Sequence, residues 1–260
     1  MIAWLESLPT LVAGIVIVGG FVISTLALGY LVAKSTSHEI RSAYTDRAGF
    51  ILAVIGVVYA VLLAFVAIGV WERFQEAEAR TFEEAGSLAN VYRDSESFPQ
   101  SERLRATLRL YLRSVIADEW PKMNRGEESE ISNALLEAAD RDVRALPVPS
   151  ARLQNIAAQM LVAMDTALAD RQTRLTIDFI GINSIMWIVL IVGAYITVAY
   201  TYLFGFDRTV MQQLMIGGLS LMIGVVLFLV MALDYPYRGS ISVEPHAFSS
   251  LLHSLSVIGP

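Results

Sequence analysis

The sequence predicts an all-α membrane protein: four transmembrane helices, with a helical extramembrane domain inserted between the second and third. Three observations carry this. Of the 260 residues, 55% are apolar and only 17% charged, less charge than a soluble domain of this size carries. The charge is also segregated, since residues 72–175 hold 18 of the 25 acids and 14 of the 19 bases. Outside that segment four stretches, about 9–33, 49–71, 177–203 and 210–233, reach the roughly 20 apolar residues needed to cross a ~30 Å hydrocarbon layer. The expected organisation is a first helix pair over 1–71 with a short basic loop at 34–48, and an extramembrane domain over 72–176. A second helix pair follows over 177–234, then a C-terminal tail over 235–260 with a short amphipathic helix.

The first span ends at Lys34, and a polar segment leads to Arg47. The second runs from Gly49-Phe50 to Trp71-Glu72, with Trp71 placed for the interface. No Pro or Gly interrupts the chain just after it, so the helix is expected to continue into water. Its extension carries Phe74, Ala77, Thr81, Ala85, Leu88 and Tyr92 at close to helical spacing. A domain helix begins near Ser101, with Leu104, Leu108, Tyr111, Leu112 and Val115 on one face and Arg105, Arg109 and Arg113 on another; Trp120-Pro121 is expected to close it. A third helix is read over about 129–145. A fourth starts after the N-cap Ser150 and is expected to run unbroken through Leu175 into the third span. The turn Gly205-Phe-Asp-Arg208 makes a hairpin of the last two spans, and after Pro245 an amphipathic helix shows Phe248, Leu251, Leu252 and Leu255.

Inside the membrane the second span is distinctive. Gly49, Ala53, Gly56, Ala60, Ala64 and Ala67 recur at three- and four-residue spacing and make a smooth face. Small stripes let helix backbones approach closely in lipid. The face serves either packing within one subunit or packing of copies around a narrow pore. Glu72 and Glu76 follow this span, with Glu83 and Glu84 beyond, and in a ring of subunits they would form acidic rings at the pore mouth, which attract cations. The alternative is a solvated helix face. The remaining polar groups are Tyr59, Asn183, Thr197 and Thr201, of which Asn183 is the most costly to bury unpaired and is expected to bond a neighbouring helix. No ionisable residue sits near the centre of a span, which argues against charge-coupled transport.

Enzyme chemistry is not expected. There is no cysteine, and His38, His246 and His253 lack metal-ligand spacing. No phosphate-binding glycine loop or nucleophile elbow occurs. No catalytic residue, cofactor or metal is therefore assigned. The net charge of −6 gives no basic face for nucleic acid. Expected partners are the lipid bilayer, further copies of the chain and inorganic ions. Lys34, Arg41, Arg47 and Arg208 place the two short loops in the cytoplasm by the positive-inside rule. This makes a multi-pass protein of the inner (plasma) membrane, with the domain and both termini extracytoplasmic.

Laid out this way, the chain resembles a bacterial bestrophin-like membrane protein family, also grouped as a domain of unknown function. The matching residues are His38-Glu39, Asp46, Gly49-Phe50, Tyr59 and Phe65 within Gly56–Phe65, and Trp71-Glu72. Near the other end come Asp234-Tyr-Pro236, Gly239, Pro245 and Phe248. Ser37 stands where the family pattern has a proline. The resemblance implies an oligomeric membrane protein of channel type. By analogy with bestrophins it would pass anions, whereas the acids after the second span favour cations. The function expected is a passive ion channel with the second span lining the pore; the alternative is a non-catalytic membrane sensor or scaffold whose helical domain binds a partner or ligand.

Overall fold

The computed structural model of the protein describes residues 10–35, 38–204, 209–239 and 241–257. The chain forms two compact units. The first contains Met1–Glu72, Ile182–Asp234 and Gly239–Ile241; the second contains Arg73–Gly181, Tyr235–Arg238 and the chain from Ser242 onward. Residues 235–238 and the C-terminal helix thus pack with the second unit and do not form a unit of their own.

Nine α-helices are described: α1 (Thr10–Ser35), α2 (His38–Ser95), α3 (Glu102–Ser114), α4 (Trp120–Met123), α5 (Glu130–Arg144), α6 (Ala151–Phe179), α7 (Ser184–Thr201), α8 (Thr209–Leu233) and α9 (His246–Val257). No strand occurs among the described residues. Among the described residues four helices (α1, α2, α7 and α8) are long and apolar enough to cross a membrane.

Two boundaries differ from expectation. The loop expected over 34–48 is mostly helical, because α1 runs to Ser35 and α2 starts at His38; between Ser37 and Gly49 no Pro or Gly breaks the helix. The fourth domain helix does not run into the third span. It stops at Phe179, and α7 starts afresh at Ser184. Ile180 is extended at φ −103° and ψ 101°, and Gly181 lies against the Tyr235 ring so closely that a methyl group there would come within 2.5 Å of it.

In the first unit α1 and α8 pack against each other, and α7 against both. Gly224 of α8 receives Val18 and Phe21 of α1, and Gly14 of α1 faces Phe228. Hydroxyls stitch these helices. Thr25 Oγ1 donates to Ser220 Oγ at 2.8 Å, Tyr202 Oη donates to the Thr25 carbonyl at 2.8 Å, and Ser24 and Tyr195 share a hydrogen bond of 2.9 Å. Such bonds contribute about 1 kcal/mol each in lipid.

The second unit is a helical core around Leu88, Leu104, Leu108, Leu136, Met160 and Phe248. Ser129 and Ser150 cap α5 and α6 by accepting from the amides of Ser132 and Leu153. Ser101 precedes α3 without capping it; its hydroxyl donates to the carbonyls of Ser95 and Phe98. Trp120-Pro121 does not close the helix. A π-helical segment (Val115–Glu119) follows α3, and the Trp120 amide reaches Val115 five residues back. Pro121 then falls in the first turn of α4, where a missing amide is tolerated.

Candidate functional site

The apolar part of α2 is the candidate pore helix. Ala53, Ala60 and Ala64 are exposed in the protomer, and Gly49, Gly56 and Ala67 are half-buried. A methyl group on Gly56 would meet no atom within 4 Å, and one on Gly49 would only touch the Phe204 ring at 3.6 Å. Among the described residues, the small face is therefore largely open at Ala53, Gly56, Ala60 and Ala64. Phe50 and Phe65, on other sides of the helix, are exposed as well, and so is Trp71, one turn beyond Ala67.

One side of this helix is fixed. Tyr59 is buried, and its hydroxyl donates to the Leu190 carbonyl of α7 at 3.1 Å. Its ring lies on Gly193, where a methyl group would come within 2.7 Å. Tyr59 thus bonds a neighbouring helix across a notch that only glycine provides.

The other membrane polar residues settle locally. Among the described residues Asn183 makes no bond across helices. It caps α7, its Oδ1 accepting from the Ile185 amide at 2.9 Å; the earlier start expected for this span had placed it inside the helix. Thr197 and Thr201 are buried and donate to the carbonyls of Gly193 and Val198 in their own helix. Asp234 at the end of α8 also serves the α7 start. Its carboxylate accepts from the Ile182 amide at 2.6 Å and from Trp187 Nε1 at 3.3 Å.

The other motif positions are structural in the C-terminal segment. The Pro236 carbonyl accepts from the Val243 amide at 2.8 Å. Gly239 has φ 75°, a conformation that other residues rarely adopt. Phe248, three residues after Pro245, is fully buried in the core. The side chains of His38, Glu39 and Asp46, and the turn 205–208, lie outside the described residues.

The acids after the second span divide. Glu72, Glu76 and Glu83 are exposed, and Arg80 pairs with both Glu76 and Glu83, at 3.7 and 2.8 Å, as well as with Asp170 at 3.2 Å. Glu84 does not belong with them. It is fully buried and bonded to Arg174 Nε at 2.8 Å. Sequence reasoning placed Glu84 on a solvated or pore-facing side, yet it falls between Thr81, Ala85 and Leu88, on the stripe that builds the core.

Around that pair the second unit buries a charge network that periodicity did not show. Arg174 also donates to Glu119 Oε1 at 2.6 Å and to Met123 Sδ. Arg171 donates to Glu119 Oε2 at 2.6 Å and to Asn133 Oδ1 at 2.9 Å, and Tyr111 donates to Glu84. The Arg174 guanidinium stands 4.9 Å from the Trp120 ring centre and 5.6 Å from that of Phe248. Burial pushes the Glu84 carboxyl up, against the pull of Arg174. Burial also acts to raise Glu119, but Arg174 and Arg171 more than reverse it and hold it low. Two guanidiniums balance two carboxylates, an arrangement that holds elements together but offers no open substrate site. The π segment carries Glu119.

A helical chain with four helices of membrane-crossing length and a separate charged helical unit is an integral membrane protein. Comparison with known proteins identifies the family: residues 19–248 match the Bestrophin-like domain, and the chain belongs to the bestrophin-like family. That family is one of membrane channels and not of enzymes. No curated protein matches the sequence. Among solved structures, a variant of a bacterial bestrophin homologue from Klebsiella pneumoniae superposes with a TM-score of 0.70 at 12% identity, covering 94% of this chain and 99% of that one. A second variant of that homologue gives 0.65 at 14% identity, covering 91% and 98%. A solved structure described as a membrane protein gives 0.68 at 12% identity, covering 92% and 97%. At these identities the likeness is one of fold.

Proposed function

We propose that this chain is the subunit of a homo-oligomeric passive ion channel in the plasma membrane, with the apolar part of α2 around the central axis. The observation that carries this is the small-residue face of α2, which among the described residues is left largely open at Ala53, Gly56, Ala60 and Ala64. Copies packed around an axis would bring Ala53, Gly56, Ala60 and Ala64 together along a narrow apolar pathway, a geometry that gates by dewetting. Glu72 and Glu76 would form acid rings at its mouth and favour cations. Family membership supports the channel reading and does not choose the ion.

Two measurements test it. Native mass spectrometry of the chain in nanodiscs is expected to show a closed oligomer, and planar bilayers containing it are expected to conduct. Ala60→Phe, which fills the narrow face, is expected to abolish conduction and leave the oligomer intact. A monomer that conducts nothing across salt and pH would leave the sensor or scaffold reading in its place. The orientation proposed, with short loops in the cytoplasm and the domain outside, is read by labelling. The chain has no cysteine, so Glu127→Cys and Arg47→Cys report cleanly. An impermeant maleimide on intact cells is expected to reach the first and not the second, and the opposite pattern reverses the topology.

A further inference from the structure

The arginine row of α3 has no role in the channel reading, and it is expensive to maintain. Arg105, Arg109 and Arg113 follow one another at four-residue spacing, and like charges so spaced destabilise a helix. Acids do not relieve them. Arg103 on the same helix pairs with Asp142 at 3.1 Å, while among the described residues none of the three forms an ion pair. Arg109 is instead oriented by Tyr92: its Nη1 donates to the Tyr92 hydroxyl at 3.3 Å, and its guanidinium stands 6.0 Å from that ring centre.

Arg109 and Arg113 line a cleft of about 630 Å³ between α3 and α9, with His253 across from them. Ile116, Leu252 and Leu255 supply an apolar wall, and among the described residues no carboxylate lines the cleft. Its volume falls in the range of small-molecule sites, which combine apolar walls with a few convergent polar groups. The side chains are matched in kind to an oxyanion joined to hydrocarbon. Guanidinium forks hold carboxylate or phosphate through paired, charge-assisted hydrogen bonds. Ile116 belongs to the π segment, a feature often found at functional sites. The neighbouring Arg105 lies outside the cleft, so proximity of charge can be separated from membership of the site.

We propose that the cleft between α3 and α9 binds an amphiphilic organic anion, its oxyanion on Arg109 and Arg113 and its hydrocarbon against Ile116, Leu252 and Leu255. The proposal does not depend on whether the protein conducts. It is tested by calorimetry on the full chain in phosphatidylcholine nanodiscs, with heats from empty nanodiscs subtracted. The probes are hexyl phosphate, hexanoate, inorganic phosphate and hexan-1-ol.

Hexyl phosphate or hexanoate is expected to bind at least ten-fold more tightly than inorganic phosphate and hexan-1-ol. Arg113→Gln, at an exposed position, is expected to weaken binding about ten-fold with an unchanged melting temperature, and Arg105→Gln less than two-fold. Leu252→Ala is expected to weaken the hexyl probes and leave inorganic phosphate unaffected. Extending the chain to dodecanoate separates two sources: continued tightening identifies a lipid-derived anion, a plateau at six carbons a soluble one. Either result supports the site. Absence of binding by both hexyl anions overturns the proposal. So do equal affinities for hexyl phosphate and inorganic phosphate, or equal losses in Arg113→Gln and Arg105→Gln.

Discussion

Arg174 is the centre of the buried charge network in the second unit. Fully buried, it sits between two carboxylates and two aromatic rings. Removing one partner of a buried ion pair is destabilising by about 3–5 kcal/mol, because the other charge is left uncompensated. Arg174→Met is therefore expected to lower stability by about that amount, and adding Glu84→Gln to recover part of it, as read by denaturant unfolding followed through tryptophan fluorescence. The two carboxylates respond to pH with opposite sign. Glu119 is held low, so its contribution is complete above the unfolded carboxylate pKa of about 4.3 and is lost as pH falls through its lower folded value. Glu84 is held high, so its contribution is present below about 4.3 and is lost as pH rises through its raised folded value. Taking the protein from pH 7 to 4, Glu84 offsets part of the acid destabilisation. In Glu84→Gln the melting temperature should fall more steeply with acid than in the parent protein, and in Glu119→Gln less steeply. Parallel profiles for all three would show that neither carboxyl is perturbed by its surroundings.

At the scale of elements, the second break in the chain depends on a distant carboxylate. The α6 helix could continue into α7 by local propensity alone, since Thr176–Ile182 holds only one glycine. What stops it is Asp234, 52 residues away, which accepts from the Ile182 amide, with Asn183 capping the new helix behind it. Asp234→Ala is expected to destabilise the first unit by about 1–3 kcal/mol, because a charge-assisted bond to a helix start is lost. Asn183→Ala, which removes an exposed cap, is expected to lose about 1 kcal/mol. Hydrogen exchange of peptides covering 180–190 should quicken in both, and more in the first. These residues also show what a sequence makes legible. The apolar stretches, the small face of α2, the start of α6 and the buried face of α3 follow from composition and period, which are local quantities. The α7 start, the inward turn of Glu84 and the π segment at Val115–Glu119 depend on partners remote in sequence, and periodicity does not register them. An acid on an apolar stripe was the one available signal for Glu84; Arg171 and Arg174 beside Leu168 and Leu175 were the matching one.

At the scale of the whole molecule the question is which ion a ring of such subunits would pass, and the distribution of charge decides what to measure. No acid or base stands near the centre of a span, so in the proposed channel any selectivity by fixed charge would come from the mouth. There Glu72 is exposed with no ion pair among the described residues, and Glu76, one turn further along α2, shares Arg80 with Glu83 and Asp170. One subunit contributes little by itself, because exposed charges are weakly coupled. A ring multiplies the same charge around one pathway, and a low-dielectric rim focuses its potential. Such a potential acts over a Debye length of about 8–10 Å near 0.1–0.15 M salt and only about 3 Å at 1 M. Cation preference is therefore expected to be clear in dilute salt and to shrink several-fold at 1 M. Glu72→Gln is expected to reduce it more than Glu76→Gln, whose parent charge is already partly met by Arg80. Reversal potentials across a potassium chloride gradient, taken at both salt levels for the parent protein and each variant, give the comparison directly. A preference unchanged by salt and by both substitutions would move the selectivity away from the acids and into the apolar stretch of α2, where pore width and dehydration would have to choose the ion.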